Sequence, residues 1–200
     1  MHYTLYPSLR GRTVFISGGS SGIGAELVRA FSAQGSRVAF CGTRPDGGDA
    51  LLAELKATDD AAHLRYEACD VRDIAALQAL LDRVADQWGP IQVLVNNAGR
   101  DDRHALDELT PEYWDNCLAI NLRHQVFATQ SVARQLRTAQ LPGSIINMGS
   151  ISWMRGRPNL IGYTTSKAAI SGMTRTLARE LGDAGIRVNA LVPGAIVTER

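Results

Sequence analysis

Short β-branched runs alternate along this chain with longer segments of helical period, and that alternation limits the folds open to it. "TVFIS" (13–17), "RVAFC" (37–41), "LRYEA" (64–68), "IQVLV" (91–95), "SIINM" (144–148) and "IRVNALV" (186–192) read as strands. Several are almost continuously apolar, as strands buried on both faces of a parallel sheet must be. Between the first two, Ile23, Leu27 and Phe31 recur at four-residue intervals and mark one helix face. Ile74, Leu77, Leu81, Val84 and Trp88 do the same in the segment opening at Asp73. Thr110 before Pro111 and Glu112 is a helix start, a capping hydroxyl followed by a proline whose missing N–H costs nothing there. Gly35 and Gly89 stand where helices should stop. Repeated βαβ units predict a Rossmann-like, doubly wound parallel sheet in a three-layer αβα arrangement, as one domain over residues 1–200. Its ligand crevice belongs at the carboxyl ends of the strands.

The chain's totals exclude several classes. Its 21 Lys and Arg nearly cancel its 20 Asp and Glu, so no nucleic-acid footprint or basic membrane patch is implied. Cys41, Cys69 and Cys117 are scattered without a CxxC pair, which argues against a disulfide framework and fits a reducing, cytoplasmic setting. His2, His63, His104 and His124 have no ligand spacing, so no metal site is expected. No run approaches bilayer-spanning length, and "MHYTLYPSLRGR" lacks the apolar core of a signal peptide.

"SGGSSGIG" (17–24) follows the first strand and opens the first helix. Gly18, Gly22 and Gly24 let the backbone turn tightly and approach a pyrophosphate, while the helix N-terminus supplies unpaired N–H groups. The Gly-x-x-x-Gly-x-Gly spacing resembles the glycine motif of the short-chain dehydrogenase/reductase family, with Ser17 where that family usually has Thr. The resemblance continues in the family's order along almost the whole chain, through "CDV" (69–71), "NNAG" (96–99) and "PGAIVT" (193–198). It implies a nicotinamide dinucleotide in contact with Ser17, Gly18, Ser20, Ser21, Gly22, Ile23 and Gly24 of the turn. Asp70 and Val71 would meet the adenine, Asn97, Ala98 and Gly99 would form the cofactor floor, and Pro193, Gly194, Ile196 and Thr198 would pass the nicotinamide.

The end of the second strand bears on NAD against NADP. A carboxylate there would accept hydrogen bonds from the adenosine ribose and repel a 2′-phosphate. This chain has Gly42 at that place, followed by Thr43 and Arg44. A guanidinium and a hydroxyl can hold a 2′-phosphate, so NADP is favoured over NAD. The other reading of Arg44 is a side chain pointing into water from a loop rich in Pro and Gly.

"YTTSK" puts Tyr163 and Lys167 on one helical face. A free phenol titrates near about pH 10, and a neighbouring ammonium lowers that value enough to make a usable base. The resemblance adds Ser150, thirteen residues before Tyr163, and Asn121 in "INLRH" as the family's other catalytic members. It implies that Tyr163 exchanges the proton, Lys167 also holds the nicotinamide ribose, Ser150 orients the substrate oxygen and Asn121 supports a water. Ser152 is two residues short of the interval and reads as a neighbouring or substrate-contacting hydroxyl.

"NNAGRDDRH" (96–104), "YWD" (113–115), "NLRH" (121–124), "GSISW" (149–153) and "YPSL" (6–9) resemble bacterial D-xylose 1-dehydrogenases and related aldose dehydrogenases of that family. The reaction implied is oxidation of an aldose C1 hydroxyl to the lactone. A sugar needs a partner for every buried hydroxyl. Asp101, Asp102 and His104 are candidates for that task, and Trp153 offers an apolar face to the ring. Arg100 with Asp102, or Asp101 with Arg103, can instead simply pair with each other. The two arginines of "RGRPNL" (155–160) point toward an acidic or phosphorylated sugar. The family's chains run on past this point with a substrate-covering segment and a seventh strand. Ending at Arg200, the chain therefore reads as truncated, and its sixth strand as an exposed edge. A homo-oligomer, dimer or tetramer, is expected. The alternatives are a carbonyl reductase of a ketone, keto acid or acyl substrate, and a dinucleotide-binding protein without turnover.

Overall fold

The computed structural model describes residues 4–57 and 63–198. Six parallel strands form one sheet: β1 (Thr13–Ser17), β2 (Arg37–Gly42), β3 (Leu64–Ala68), β4 (Val93–Asn96), β5 (Gly143–Met148) and β6 (Ile186–Leu191). Their order is β3-β2-β1-β4-β5-β6, the doubly wound arrangement expected from the sequence. The helices are α1 (Gly22–Ala33), α2 (Pro45–Lys56), α3 (Ile74–Trp88), α4 (Pro111–Leu118), α5 (His124–Ala139) and α6 (Ile161–Gly182).

β1 is buried along its whole length, and its side chains alternate between the two faces. Phe15 joins the cluster built with Leu77, Leu81 and Val84 of α3, Val132 and Leu136 of α5, and Leu181 of α6. Val14 and Ile16 join the opposite cluster, with Val28 of α1 and Leu51 and Leu55 of α2. Each fully buried Leu, Ile or Phe in these layers contributes roughly 1.5–3 kcal/mol. The chain winds outward from β1 in both directions, so a crevice opens beyond the carboxyl ends of β1 and β4.

Helix starts follow the expected chemistry. The Asp73 side chain accepts from Ala76 N–H at the head of α3, and the Thr110 hydroxyl accepts from Tyr113 N–H at 3.2 Å. β4 begins at Val93 rather than at residue 91. α2 is the larger departure: the Pro- and Gly-rich stretch after Arg44 is a helix, with Pro45 in its first turn and Arg44 as its N-cap residue. No helix among the described residues is long and apolar enough to cross a membrane.

Candidate active site

A cleft of about 820 Å³ lies across the carboxyl ends of the strands. Its floor is knitted from the first and fourth strands. Ser17 Oγ accepts from the N–H groups of Asn97 and Ala98, at 3.0 and 3.1 Å. Asn97 Nδ2 donates back to the carbonyls of Ser17 and Gly18. Gly18 has φ +67°, and a Cβ there would stand 2.9 Å from Ala98 Cα, so only glycine lets the turn and floor approach. Ser20, Ser21, Gly22, Ile23 and Gly24 line the cleft. The Ser21 side chain does not cap α1, which leaves the first-turn N–H groups open to an anion. Thr198 lies over this helix start, within 3.5 Å of where a Gly22 Cβ would be. Ser17 is buried beneath the floor rather than in the cleft wall.

At one end the wall is formed by Gly42, Thr43, Arg44, Asp70 and Val71. Thr43 and Arg44 are exposed, and among the described residues the Arg44 guanidinium has no ion-pair or hydrogen-bond partner. A Cβ on Gly42 would lie 2.4 Å from Ser20 Oγ, so the Ser20 hydroxyl fills the place an acid would take. Arg72, which the sequence reading passed over, also lines the cleft and grips the Asp70 carboxylate through Nε at 2.9 and 3.0 Å. That contact holds Asp70 below the usual carboxylate range. Its signal was the Asp-x-Arg spacing.

At the other end stand Ser150, Ser152, Tyr163 and Lys167. Tyr163 and Lys167 lie one turn apart on α6, with Nζ 5.5 Å from the phenol ring centroid. Lys167 is 3% exposed and donates to the Met148 carbonyl at 2.8 Å. Burial lowers its pKa to about 8, with the Cys117 thiol opposing. Burial raises the Tyr163 phenol above its ordinary value, the Ser150 hydroxyl opposes that shift, and Asp101 adds to it. The lowering expected from the neighbouring ammonium is not what the structure gives: burial outweighs the Ser150 hydroxyl and leaves the phenol raised. Ser150 Oγ donates to Ser152 Oγ at 2.8 Å and accepts from Ser152 N–H at 3.1 Å.

Asn121 lies in a π-helical turn, Ala119–Arg123, between α4 and α5. It does not line the cleft; its amide holds the backbone of Arg100, which does. Ile120 of the same turn faces the cleft, unforeseen because the widened turn has no signature of its own. His124, fully buried, donates from Nε2 to the Ala98 carbonyl at 3.2 Å and steadies the floor from below.

Of the residues expected to face a substrate, Asp101, Ser150, Ser152 and Tyr163 line the cleft, whereas Asp102, His104 and Trp153 do not. Asp102 pairs with Arg100 at 3.0 Å. Tyr113 Oη donates to the Asp102 carbonyl and accepts from His104 Nδ1, each at 3.0 Å, and the two rings pack against each other. Trp153 turns its Nε1 into the protein. Pro193, Gly194, Ile196 and Thr198 line the opposite wall, where the Pro193 carbonyl accepts from Ile151 N–H at 3.1 Å.

Residues 12–200 match the family model of the short chain dehydrogenases. The chain belongs to that family. It is 45% identical over 200 residues to D-xylose 1-dehydrogenase of Caulobacter vibrioides, covering 100% of this chain and 78% of that one. It is 46% identical over 196 residues to a "probable galactose dehydrogenase" of Rhizobium meliloti, covering 98% and 75%. Among solved structures, a variant of actinorhodin polyketide ketoreductase with NADPH superposes with TM-score 0.87 at 32% identity, covering 98% of this chain and 74% of that one.

This short-chain dehydrogenase is accordingly an NAD(P)-dependent oxidoreductase acting on CH–OH groups of a small molecule. The residues present fit such a cofactor. The glycine cradle that a Cβ would block, the uncapped helix start and the unpaired Arg44 offer sites for its phosphates along one continuous cleft.

Proposed function

We propose that the chain oxidises the C1 hydroxyl of a cyclic aldose such as D-xylose to its lactone, using NADP in preference to NAD, with Tyr163 as general base. The observation that carries this is the shared cleft wall of Ser150, Tyr163 and Asp101 beside the floor residues Asn97, Ala98 and Gly99. Relatives described as xylose and galactose dehydrogenases support the sugar class. Arg44, unpaired and exposed beside Thr43, supports the 2′-phosphate of NADP.

A nicotinamide dinucleotide held by the glycine turn, the Asn97–Gly99 floor and Lys167 would supply the hydride acceptor for the substrate carbon. Ser150 donates to the sugar oxygen and holds it against the Tyr163 oxygen, which receives the hydroxyl proton in its phenolate form. Lys167 supplies positive charge beside the phenol and a donor for the nicotinamide ribose. Asn121 holds the chain at Arg100 so that the floor keeps its shape. Asp101 accepts from a sugar hydroxyl. The similarity to an NADPH-using ketoreductase favours a second reading, reduction of a ketone, keto acid or acyl carbonyl by the same residues in reverse.

Following nicotinamide absorbance with pentoses, hexoses and ketones, with NAD and NADP, separates the two. Tyr163→Phe should lower turnover by roughly 10²–10⁴-fold while keeping dinucleotide affinity. Undiminished activity in Tyr163→Phe would overturn the mechanism. A single domain over residues 1–200, a cytoplasmic location and assembly as a dimer or tetramer complete the reading; light scattering on the eluting protein tests the assembly.

A further inference from the structure

Two positively charged side chains at the reacting end of the cleft have no task in the mechanism above. Arg155 and Arg157 flank Gly156 in the connection between β5 and α6, and both line the cleft with Ser150, Ser152 and Tyr163. The other cleft arginines are accounted for: Arg72 pairs with Asp70, Arg100 with Asp102, and Arg44 lies at the far end where a 2′-phosphate belongs. Arg155 and Arg157 are exposed and have no ion-pair partner among the described residues. Asp101, the acid on this side of the cleft, pairs with neither.

The turn that carries them is held at both ends. Met154 and Arg155 N–H donate to the Ile151 carbonyl at 3.0 and 3.2 Å, and Asn159 accepts from His104 N–H at 3.0 Å. Gly156 takes φ +56°, which reverses the chain between the two arginines. Two like charges separated by one residue, facing one cleft, repel each other until an anion lies between them.

We infer that the substrate is an anionic sugar, a cyclic aldose whose end remote from C1 carries a carboxylate or a phosphate held by Arg155 and Arg157. This rests on the aldose reading above. A guanidinium meets either anion with two parallel N–H···O bonds, and paired guanidiniums discriminate strongly against a neutral hydroxymethyl at that place. The reaction is unchanged in kind. The C1–H electron pair would go to the oxidised dinucleotide, the hydroxyl proton to the Tyr163 phenolate, and the C1–O bond would become the lactone carbonyl with the remote anion intact.

The test compares D-galactose, D-galacturonate and D-galactose 6-phosphate as substrates of the full chain with NADP, and the D-glucose series likewise. The expected result is a kcat/KM at least about tenfold higher for one anionic sugar than for its neutral parent, with carboxylate or phosphate identified by which arm wins. The R155A/R157A double variant should lower that ratio about tenfold through KM, and R155K/R157K should restore part of it. Equal kcat/KM for neutral and anionic sugars overturns the inference. So does a double variant that leaves the ratio intact and raises only the KM for NADP, which would make both arginines cofactor contacts. Calorimetric binding of galacturonate and galactose 6-phosphate to the NADP-loaded protein decides independently of turnover. Binding lost in R155A/R157A, with no sugar oxidised, sinks aldose oxidation and keeps the anion site. Sugar oxidation with no preference for an anion does the reverse.

Discussion

Asn121 clasps the backbone of Arg100 with both ends of its amide: Oδ1 accepts from Arg100 N–H at 2.9 Å, and Nδ2 donates to the Arg100 carbonyl at 3.0 Å. The same Nδ2 donates to the Cys117 carbonyl at 3.0 Å, so the side chain ties α4 to the strand-four floor. A Cβ on Gly99 would come within 2.9 Å of Asn121 Oδ1 and 3.3 Å of Lys167 Nζ, which shows how closely floor, clasp and lysine converge. Asn121→Ala removes the partners of the part-buried Arg100 main-chain groups and of the buried Cys117 carbonyl, and should cost about 1–3 kcal/mol of stability. Asn121→Asp keeps the acceptor but loses the donor and buries a charge, so it should unfold at lower denaturant than the alanine variant. Urea titration of both variants checks the order; an alanine variant as stable as the parent would remove the clasp from the account.

Cofactor choice can be tested from the geometry at Gly42. Arg44→Ala should lower the NADP-to-NAD ratio of kcat/KM by roughly tenfold or more, the loss of a charge-assisted contact. Gly42→Asp introduces a carboxylate, but its Cβ meets Ser20 Oγ at 2.4 Å and the serine must rotate away. Combined with Ser20→Gly, which clears that space, Gly42→Asp should turn the preference toward NAD by placing an acceptor for the ribose hydroxyls. A ratio that stays put in both variants would mean that neither residue reads the 2′ position.

What the sequence made legible was burial and periodicity. β1 and β3 fall where "TVFIS" and "LRYEA" predict them, because both runs are short and bounded by helical segments or turns. Ile91 opens the apolar run "IQVLV" and is fully buried, yet its N–H donates to Gln135 Oε1 rather than to a neighbouring strand. Pattern reports which side chains are inside, not which main-chain groups pair. α2 was missed for a related reason. "PDGGD" has the composition of a turn, but Gly48 lets the helix pack on Tyr66, whose ring would lie 2.3 Å from a Cβ. That contact joins residues eighteen positions apart. The cofactor motifs were legible because they are local. The neighbours of His104 were not: Tyr113 and Asn159 reach it from separate elements and draw it into the wall behind the cleft.

His124 makes acid stability predictable. Burial lowers its pKa from the ordinary 6.5 to about 4, while its bond to the Ala98 carbonyl opposes the shift. The unfolded chain takes up the proton as pH falls through 6.5, whereas the folded chain does so only near 4. The contribution is therefore full above pH 6.5 and is lost as pH falls to about 4, on the order of 3 kcal/mol altogether. Denaturant midpoints of the parent and His124→Gln at pH 7 and 4.5 check this, since the parent should lose more between the two. Equal losses would place the acid sensitivity elsewhere.

Lys167 makes alkaline behaviour predictable in the opposite sense for function and for stability. Burial lowers its pKa from 10.5 to about 8, so its ammonium charge fades within an accessible range. Dinucleotide affinity, if it draws on that ammonium, should be constant below pH 8 and weaken above it. Stability should not weaken with it: from pH 8 to 10.5 the unfolded chain holds a proton that the folded chain has released, so this group makes unfolding harder as pH rises. Loss of affinity without loss of structure is thus the signature of Lys167 rather than of alkaline unfolding. Fluorescence titration of NADP between pH 6.5 and 9.5, with circular dichroism on the same samples, reads both. Lys167→Arg keeps its charge throughout and should abolish the inflection, at a cost in turnover because a planar guanidinium cannot reproduce the ammonium's contact with the Met148 carbonyl. An inflection that persists in Lys167→Arg would assign the titration to another group.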